Sequence, residues 1–372
     1  MRYFYLATIF FAVVITLTNS SRAETPTTKK IVKIGVIAPL TGGDAQTGVD
    51  VVNTLKLQTK IYNELSTHYQ YELLFEDGKC GSGPLAATAA RKFIDVDRVN
   101  FLITNCSGET LSVAPLAEKH KVVQIASWSS HKDVKTSGDY VFRTFVDIER
   151  GILKLTEYLR NNNYQRVAMF TEDIIFTVGL SEILKKSILE RVVSQDLYTY
   201  DTVDFRTLLS RAKSKKPDAY FFAAASTKTT IEILKQAKTL GLKEQLFGFY
   251  FPEYPEVVQA LGSQMDGLIF LGHPEIENAC PDFIKFFERW KKEYPQAPQA
   301  ITAIRSNYDA FQVLFDTVEK VGTDSTTVKN ALYQYSGVGA QGPISFDQNG
   351  DIKDLNWVLK EIKGGKPIEL VS

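Results

Sequence analysis

Residues 104–111, TNCSGETL, place a cysteine and a serine between an apolar run and a helical pattern. Ser107 has the type of side chain that caps the start of a helix, where the first N–H groups have no partners within the helix. These free groups, together with the partial positive charge of a helix start, suit a carboxylate ligand. Ser107 is therefore a candidate carboxylate-binding residue, and the alternative is that it only caps its own helix.

A second group of polar residues follows the next apolar run, in the segment IASWSSHKD. Trp128, Ser129 and Ser130 fall in a loop just past a strand pattern, and in a parallel sheet this loop can lie beside the Ser107 loop. Hydroxyl groups next to a large aromatic ring could hold the polar end of a ligand and cover its apolar body. The alternative for Trp128 is a place in the hydrophobic core.

Two loops in the second half of the chain have a similar character. Glu172 and Phe176 follow the strand pattern RVAMFTED, while Tyr250 and Glu253 lie in FGFYFPEYPE, past another strand pattern. We expect Phe176 and Tyr250 to face a ligand cleft. Glu172 and Glu253 are then candidate partners for an ammonium group.

Signatures of catalysis are scarce. The four histidines, at positions 68, 120, 131 and 273, show no metal-ligand spacing, and neither a G-x-S-x-G elbow nor a P-loop occurs. The segment GVGAQG, residues 337–342, matches a dinucleotide-binding pattern, but it precedes a hairpin pattern instead of joining a strand to a helix. The sequence therefore favours a binding protein over an enzyme and predicts neither a metal nor a cofactor.

The N-terminus predicts export from the cytoplasm. Arg2 precedes an apolar run, and Ser21 and Ala23 stand as small residues before a cleavage point after Ala23. A membrane anchor is less favoured, because the run is shorter than the ~20 residues that a span needs. Cleavage would remove Arg2 and Arg22 from the 43 basic residues and none of the 43 acidic ones, which leaves a net charge of −2. With no basic block, a nucleic-acid partner is not expected.

The chain has three cysteines, and an exported protein meets conditions in which cysteines pair. Cys80 lies in a loop after the strand pattern YELLFED, and Cys106 lies in a similar loop after the next strand pattern. Both loops fall at one end of the same predicted sheet, so we predict a Cys80–Cys106 disulfide. Cys280 is left over and is interpreted as an inert free thiol.

Strand and helix patterns alternate along the chain, and the alternation restarts after YVFRTF. Two such runs predict an α/β fold with two lobes, each a parallel sheet covered by helices on both faces. Three helical stretches follow, and then the strand patterns GPISFD and DLNWVLKEIK, joined as a hairpin at Asn349-Gly350. These late elements must complete the lobes, so the chain crosses between lobes more than once. Ligands bind beyond the carboxyl ends of parallel strands, which here would form a cleft.

The chain resembles the periplasmic ligand-binding proteins of branched-chain amino acid ABC transporters, the leucine/isoleucine/valine-binding type. The resemblance spans residues 31–362 and is carried, in this order, by VKIGVIAPLTG, AQTG, EDGKC, NCSGET, GDYVFRT, ILKQAKTLGL and GPISFDQNGDIK. It implies two doubly wound parallel-sheet lobes of type I topology, joined by three crossovers and closing on ligand by a hinge. It also implies the Cys80–Cys106 disulfide. We expect a signal peptide at 1–23, a first lobe at 24–145 plus 275–354, and a second lobe at 146–274 plus 355–372.

The resemblance also implies roles for single residues. Ser107 matches the serine that holds the ligand carboxylate, and Phe176 matches an aromatic residue that packs on the ligand from the second lobe. The segment 128–130 matches the loop used for carboxylate and amine, although Trp128 replaces a small residue and should reduce or reshape the pocket. Tyr250 stands near the position of the ammonium-binding acid and is not acidic.

This last departure leaves open which group of the protein binds the amine of the ligand. Either Glu253, Glu172 or a backbone group takes it over, or the ligand has no amine. Glu109, in the same helix opening as Ser107, would also weaken a bound carboxylate unless its side chain points away.

The expected function is that of a monomeric periplasmic receptor of an ABC importer. It would capture a small carboxylate-bearing ligand, an apolar amino acid in the first instance, and deliver it to a membrane permease. The alternatives are a binder of an aromatic or aliphatic carboxylate without an amine, a ligand sensor and, less favoured, an exported enzyme.

Overall fold

The computed structural model describes residues 28–275, 280–296 and 298–370 of the 372-residue chain. The predicted signal peptide, residues 1–23, lies outside the described residues. Within the described ranges, no helix combines the length and the apolar character that crossing a membrane requires.

The first lobe is built on a five-stranded parallel sheet. Its strands are β1 (Lys30–Ala38), β2 (Tyr69–Asp77), β3 (Phe101–Thr104), β4 (Val123–Ala126) and β5 (Val141–Arg143), in the sheet order β2-β1-β3-β4-β5. The helices between them are α1 (Ala45–Leu65), α2 (Gly83–Arg91) and α3 (Ser107–His120). Every residue of β3 and β4 is buried, because helices cover both faces of a parallel sheet.

The second lobe is built on a seven-stranded sheet in the order β14-β13-β10-β9-β8-β6-β7. Its parallel strands are β6 (Val167–Glu172), β7 (Val192–Tyr198), β8 (Ala219–Ala223), β9 (Gln245–Phe249) and β10 (Ile269–Gly272). Two antiparallel strands extend it, β13 (Val358–Lys363) and β14 (Lys366–Glu369). Its helices are α4 (Ile148–Asn161), α5 (Ile175–Ser187), α6 (Arg206–Ser214), α7 (Thr227–Thr239) and α8 (Pro255–Leu261).

The late helices return to the first lobe. They are α9 (Pro281–Glu293), α10 (Ile301–Val321) and α11 (Ser325–Leu332), followed by the small sheet of β11 (Ser336–Gly339) and β12 (Gly342–Ser345). Helix α10 packs on α1, where the Tyr62 and Phe315 rings stack at 4.0 Å between centroids. The Gln58 amide also donates to the Tyr308 carbonyl at 2.9 Å, so this part of the chain completes the first lobe.

In the described residues the chain passes between the two large sheets at three places, after β5, after β10 and after β12. One aromatic cluster joins the three crossovers. The His273 ring lies 4.5 Å from Trp357 and 5.4 Å from Phe145, and the Trp357 indole donates to the Asp147 carbonyl at 2.9 Å. This cluster holds the connections together at the base of the cleft, where a hinge must lie.

The hairpin prediction was only partly right. The turn at residues 347–350 forms, with Gly350 N donating to the Asp347 carbonyl, and Phe346 pairs with Ile352 in a single antiparallel bridge. The two predicted strands do not pair with each other, however. Strand β12 pairs with β11, whereas β13 crosses to the second lobe and pairs with β10, because the apolar residues of β13 complete that lobe's sheet.

Strand β7, which the sequence pattern did not predict, forms an edge of the second sheet. The pattern ILERV resembled the end of a helix, but α5 ends at Ser187 and β7 begins at Val192. An edge strand meets one neighbour only, so its outer residues can be polar and its sequence alternates weakly.

Candidate functional site

A cavity lies between the lobes at the carboxyl ends of both parallel sheets. Its lining comes from the loops after β1, β2, β3, β4 and β5 in the first lobe and after β6, β8 and β9 in the second. The space between these loops is about 440 Å³, counted out to its open side, which suits a small molecule. The predicted site residues that line this cavity are Ser107, Trp128, Ser130, Phe176 and Tyr250.

Ser107 lies in the first turn of α3 and turns its hydroxyl towards the loop after β4. Cys106, not Ser107, is the N-cap residue, so the capping role considered for Ser107 falls to its neighbour. The Ser107 oxygen accepts from His131 N at 3.3 Å and from the Ser129 hydroxyl at 3.4 Å. Because Ser107 is the acceptor in both contacts, its own proton remains available to a ligand.

The helix opening also offers backbone donors. No partner for the N–H groups of Ser107 and Gly108 is found among the described residues, as expected in the first turn of a helix. Both residues line the cavity. The α3 opening can therefore bind a carboxylate with a hydroxyl and with backbone N–H groups.

Glu109 points away from the cavity. Its carboxylate accepts from the backbone N–H groups of Cys106 at 2.9 Å, Asn105 at 3.2 Å and Cys80 at 3.3 Å. Burial raises the pKa of Glu109 to about 8, against the lowering effect of these three donors. Its side chain therefore ties the loops after β2 and β3 together, and it does not compete with a bound carboxylate.

The predicted disulfide between Cys80 and Cys106 is confirmed, and both cysteines line the cavity. It joins the loop after β2 to the first turn of α3, so it helps to hold the helix opening in place. Cys280 is a free, half-buried thiol whose pKa is raised by burial. A raised pKa leaves less thiolate at neutral pH, in keeping with an inert cysteine.

We expect that replacing both disulfide cysteines by serine will lower the free energy of unfolding by about 3–4 kcal/mol. The bond closes a loop whose ends are 26 residues apart, and on the chain-entropy model a loop of this length restricts the unfolded chain by that amount. Urea unfolding of the wild type and of the double variant measures the difference. Cys280→Ser serves as the matched control, and a loss below about 1 kcal/mol in the double variant would contradict the expectation.

An aromatic wall covers the apolar side of the cavity. Trp128 is 6 % exposed and meets the Tyr250 ring edge to face at 6.3 Å between centroids, while Phe176 packs on Phe249 at 5.2 Å. Trp128 thus belongs to the core and lines the cavity at the same time. Its buried indole N–H has no hydrogen-bond partner among the described residues, so it remains an available donor.

Glu172 lies behind the cavity lining in the second lobe. One of its carboxylate oxygens accepts from Ala225 N at 2.9 Å and from the Thr229 hydroxyl at 2.6 Å. Burial raises the pKa of Glu172 in spite of these two donors. Ala225 lines the cavity and donates to Glu172, so the Glu172 carboxylate lies behind the cavity lining.

Glu253 does not join the cavity. Its carboxylate accepts from the Lys360 ammonium at 2.8 Å and meets His273 Nδ1 at 3.1 Å, beside the aromatic cluster of the crossovers. Burial alone would raise the pKa of Glu253, but the contacts with His273 and Lys360 outweigh burial and lower it. A carboxylate already neutralised in this way is not available to a ligand amine, because Lys360 on β13 occupies it.

Asp44 is a cavity residue that sequence reasoning missed. It immediately precedes α1, in the loop after β1, and its side chain makes no capping hydrogen bond. Burial, and to a smaller extent the charge of Glu172, raises the pKa of Asp44 to about 7. The sequence signal was available, since an acid beyond the end of a strand occupies the same type of position as Ser107.

The two lobes touch around the mouth of the cavity, so the structure represents a closed form. Several of the contacts between the lobes occur at glycines. A Cβ on Gly43 would lie 2.4 Å from the Tyr200 ring, a Cβ on Gly179 would lie 2.3 Å from the His131 ring, and a Cβ on Gly108 would meet Ile175 at 3.5 Å. The lack of a side chain at Gly43 and Gly179 lets the lobes come together, whereas the distance at Gly108 is an ordinary van der Waals contact.

Two α/β lobes, three crossovers and a cavity between the strand ends define a class of two-lobed ligand-binding proteins. The sequence model of the periplasmic binding protein family matches residues 31–366, and the chain belongs to this family.

Individual relatives agree with this assignment. A Leu/Ile/Val-binding protein homologue of Brucella melitensis is 21 % identical, and the alignment covers 98 % of each chain. The solved structure of a leucine-binding protein, LivK, from Thermotoga maritima has a TM-score of 0.79 at 28 % identity, covering 91 % of this chain and 98 % of the other. An ABC transporter solute-binding protein from Rhodopseudomonas palustris, in complex with 3,4-dihydroxybenzoic acid, has a TM-score of 0.80 at 22 % identity, covering 92 % and 96 %.

Proposed function

We propose that the protein is the extracytoplasmic receptor of an ABC importer and binds a small carboxylate-bearing ligand, an apolar amino acid, in the interlobe cavity. The observation that carries the proposal is the α3 opening, where the Ser107 hydroxyl and two N–H groups face the same cavity as the aromatic wall. The first set of groups suits a carboxylate, and the second suits an apolar side chain.

The named relatives support the same ligand classes. LivK is a leucine-binding protein, and the protein from Rhodopseudomonas palustris holds an aromatic carboxylate. The rings of Trp128, Phe176 and Tyr250 would also suit an aromatic acid, which keeps a carboxylate without an amine as the second candidate. Both candidates place the carboxylate on α3.

The proposal also covers processing, location, partner and lobe boundaries. We propose cleavage after Ala23, action in the periplasm as a monomer, and delivery of the ligand to a membrane permease. We also propose lobe boundaries of 24–145 plus 275–354 and 146–274 plus 355–372, which agree with the sheets and the three crossovers. Ser129 supports Ser107 from behind the lining, at 3.4 Å between hydroxyl oxygens.

The identity of the ligand is tested by a thermal-shift screen of the mature protein. The panel contains the standard amino acids, their deaminated analogues and a set of aromatic acids. We expect the melting temperature to rise with at least one small carboxylate and not with the matching alcohol or amide, because ligand binding to the folded state raises stability. No shift with any small carboxylate would refute the proposed function.

We expect Ser107→Ala to weaken binding of the best carboxylate from this screen by about 1–3 kcal/mol, because a charged group loses a hydroxyl donor. Isothermal titration calorimetry with the wild type and the variant measures the loss. Ser112→Ala is the matched control, since the Ser112 hydroxyl donates to the Gly108 carbonyl within the same helix, away from the cavity lining. Equal affinities of the wild type and Ser107→Ala would remove Ser107 from the site.

A further inference from the structure

The carboxylate of Asp44 lies at the cavity without a partner. Asp44 occupies the N-cap position of α1, where an aspartate normally accepts a hydrogen bond from the first turn, but here it makes none. Neither a hydrogen bond nor a salt bridge to this carboxylate is found within the ranges that the structure describes. Asp44 is half-buried at the cavity, and a carboxylate in such a position without a protein partner suits a ligand that supplies positive charge or donors.

A second carboxylate, that of Glu172, lies behind the cavity lining in the other lobe. The charge of Glu172 acts on Asp44, although Asp44 follows β1 in the first lobe and Glu172 ends β6 in the second. Lys228 is the cation that acts on Glu172, but its ammonium group already donates to the Tyr200 carbonyl at 3.3 Å and lies 4.4 Å above the Tyr200 ring. Closing the lobes therefore brings two like charges together, with Lys228 acting on Glu172 but, among the described residues, no cation acting on Asp44.

The remaining groups around Asp44 do not supply that cation. Tyr200, Tyr250 and Tyr254 are the other titratable groups on which the charge of Asp44 acts, and all three are neutral with raised pKa values. In each case burial is the main cause. The negative charge on the cavity lining therefore comes from Asp44, in the loop after β1.

We propose that Asp44 binds the ammonium group of an amino-acid ligand, and that this ammonium group offsets the repulsion between Asp44 and Glu172 when the lobes close. The inference rests on the proposed function and names the residue that binds the amine of its ligand. A zwitterionic ligand would place its carboxylate on the α3 opening and its amine beside Asp44, with its side chain against the aromatic wall. A ligand without an amine would leave the two acids unbalanced in the closed form.

The first test compares two ligands that differ only in the amino group, using the wild-type protein. L-leucine is paired with 4-methylpentanoate and L-phenylalanine with 3-phenylpropanoate, and calorimetry at pH 8 measures each affinity. We expect the better-bound amino acid to bind at least about tenfold more tightly than its amine-free partner. An amine-free acid that binds as tightly as its amino-acid partner overturns the inference and leaves the proposed function standing.

The second test uses Asp44→Asn, which keeps the size of the side chain and removes its charge. We expect affinity for the amino acid to fall by about 10- to 150-fold, with little change for the amine-free acid. Asp201→Asn, at an exposed acid beside Tyr200, is the matched control and should leave both affinities unchanged. An unchanged amino-acid affinity in a folded Asp44→Asn protein overturns the inference.

The pH dependence of the wild type gives a readout that needs no variant. The ionised form of Asp44 binds the ammonium group, so affinity should be full above pH 8 and fall as the pH drops through about 7, where Asp44 of the free protein takes up a proton. Glu172, whose pKa is also raised, adds to the loss at lower pH. An amino-acid affinity that is constant from pH 8 to pH 5.5 overturns the inference. A failure of every small carboxylate to bind overturns the proposed function as well.

Discussion

Arg143→Met is expected to lower the free energy of unfolding by about 3–5 kcal/mol, because it removes a buried cation and leaves the buried carboxylate of Asp351 unpaired. Arg143 is 1 % exposed, and its guanidinium binds both carboxylate oxygens of Asp351, with the Nε contact at 2.9 Å. It also lies 3.3 Å from Asp147 and donates to the His131 carbonyl at 2.8 Å. Asp351 would lose its counter-charge, and Asp147 would keep only the more distant Lys135 ammonium at 3.9 Å.

The loss should affect the connection between the lobes more than either lobe alone. Arg143 ends β5, at the first crossover, and Asp351 lies in the segment that leads to the third crossover. Chemical unfolding of the wild type and of the variant measures the difference. Arg206→Met is the matched control, because Arg206 and Asp204 form an ion pair on the surface, where solvent screens the charges. A loss of similar size in both variants would contradict the role given to Arg143.

Gly179→Leu is expected to weaken ligand binding by about 5- to 150-fold while leaving the folding of the two lobes intact. Gly179 lies inside α5, where its backbone accepts any side chain, but a Cβ there would lie 2.3 Å from Nε2 of His131 in the other lobe. His131 is buried, and its Nδ1 accepts from Asp133 N at 3.2 Å, so its ring is held in place. The clash exists only in the closed form, and overpacking of this type costs roughly 1–3 kcal/mol.

Calorimetry with the best carboxylate ligand measures the affinity, and small-angle scattering shows whether ligand still compacts the protein. A rescue variant provides the control, because His131→Ala in the Gly179→Leu background removes the obstructing ring and should restore most of the affinity. The melting temperature of unliganded Gly179→Leu should equal or exceed that of the wild type, since glycine inside a helix is unfavourable. Full compaction of Gly179→Leu by ligand would contradict a closure contact at this position.

The two-lobed α/β architecture was predictable because it follows from local sequence patterns. The buried strands β3 and β4 and the helices after them follow from apolar runs and helical periodicity, and the recurrence of that alternation indicates two lobes. The edge strand β7 and the pairing of β13 were missed. The local sequence of a strand does not determine which other strand it pairs with. Pairing between strands that are distant in the chain depends on the packing of the whole sheet.

The candidate site was predictable to the extent that it follows from strand ends. Ser107, Trp128, Ser130, Phe176 and Tyr250 were found in this way, and the structure brings all five to one cavity. Position after a strand end did not predict which acidic residues are free to bind a ligand. Glu172 and Glu253 both follow strand ends, yet their partners are contributed by residues 53 and 107 positions away in the chain.

The sequence by itself determined the two-lobed α/β plan, the disulfide and the helix opening that suits a carboxylate, because each depends on residues close together in the chain or on a repeated pattern. Only the tertiary structure decided which acid remains free to meet a ligand. Lys360 on β13 neutralises Glu253, whereas nothing in the described chain pairs with Asp44. The charge available to a ligand depends on which long-range partners reach each carboxylate, and those contacts exist only once the two lobes have formed.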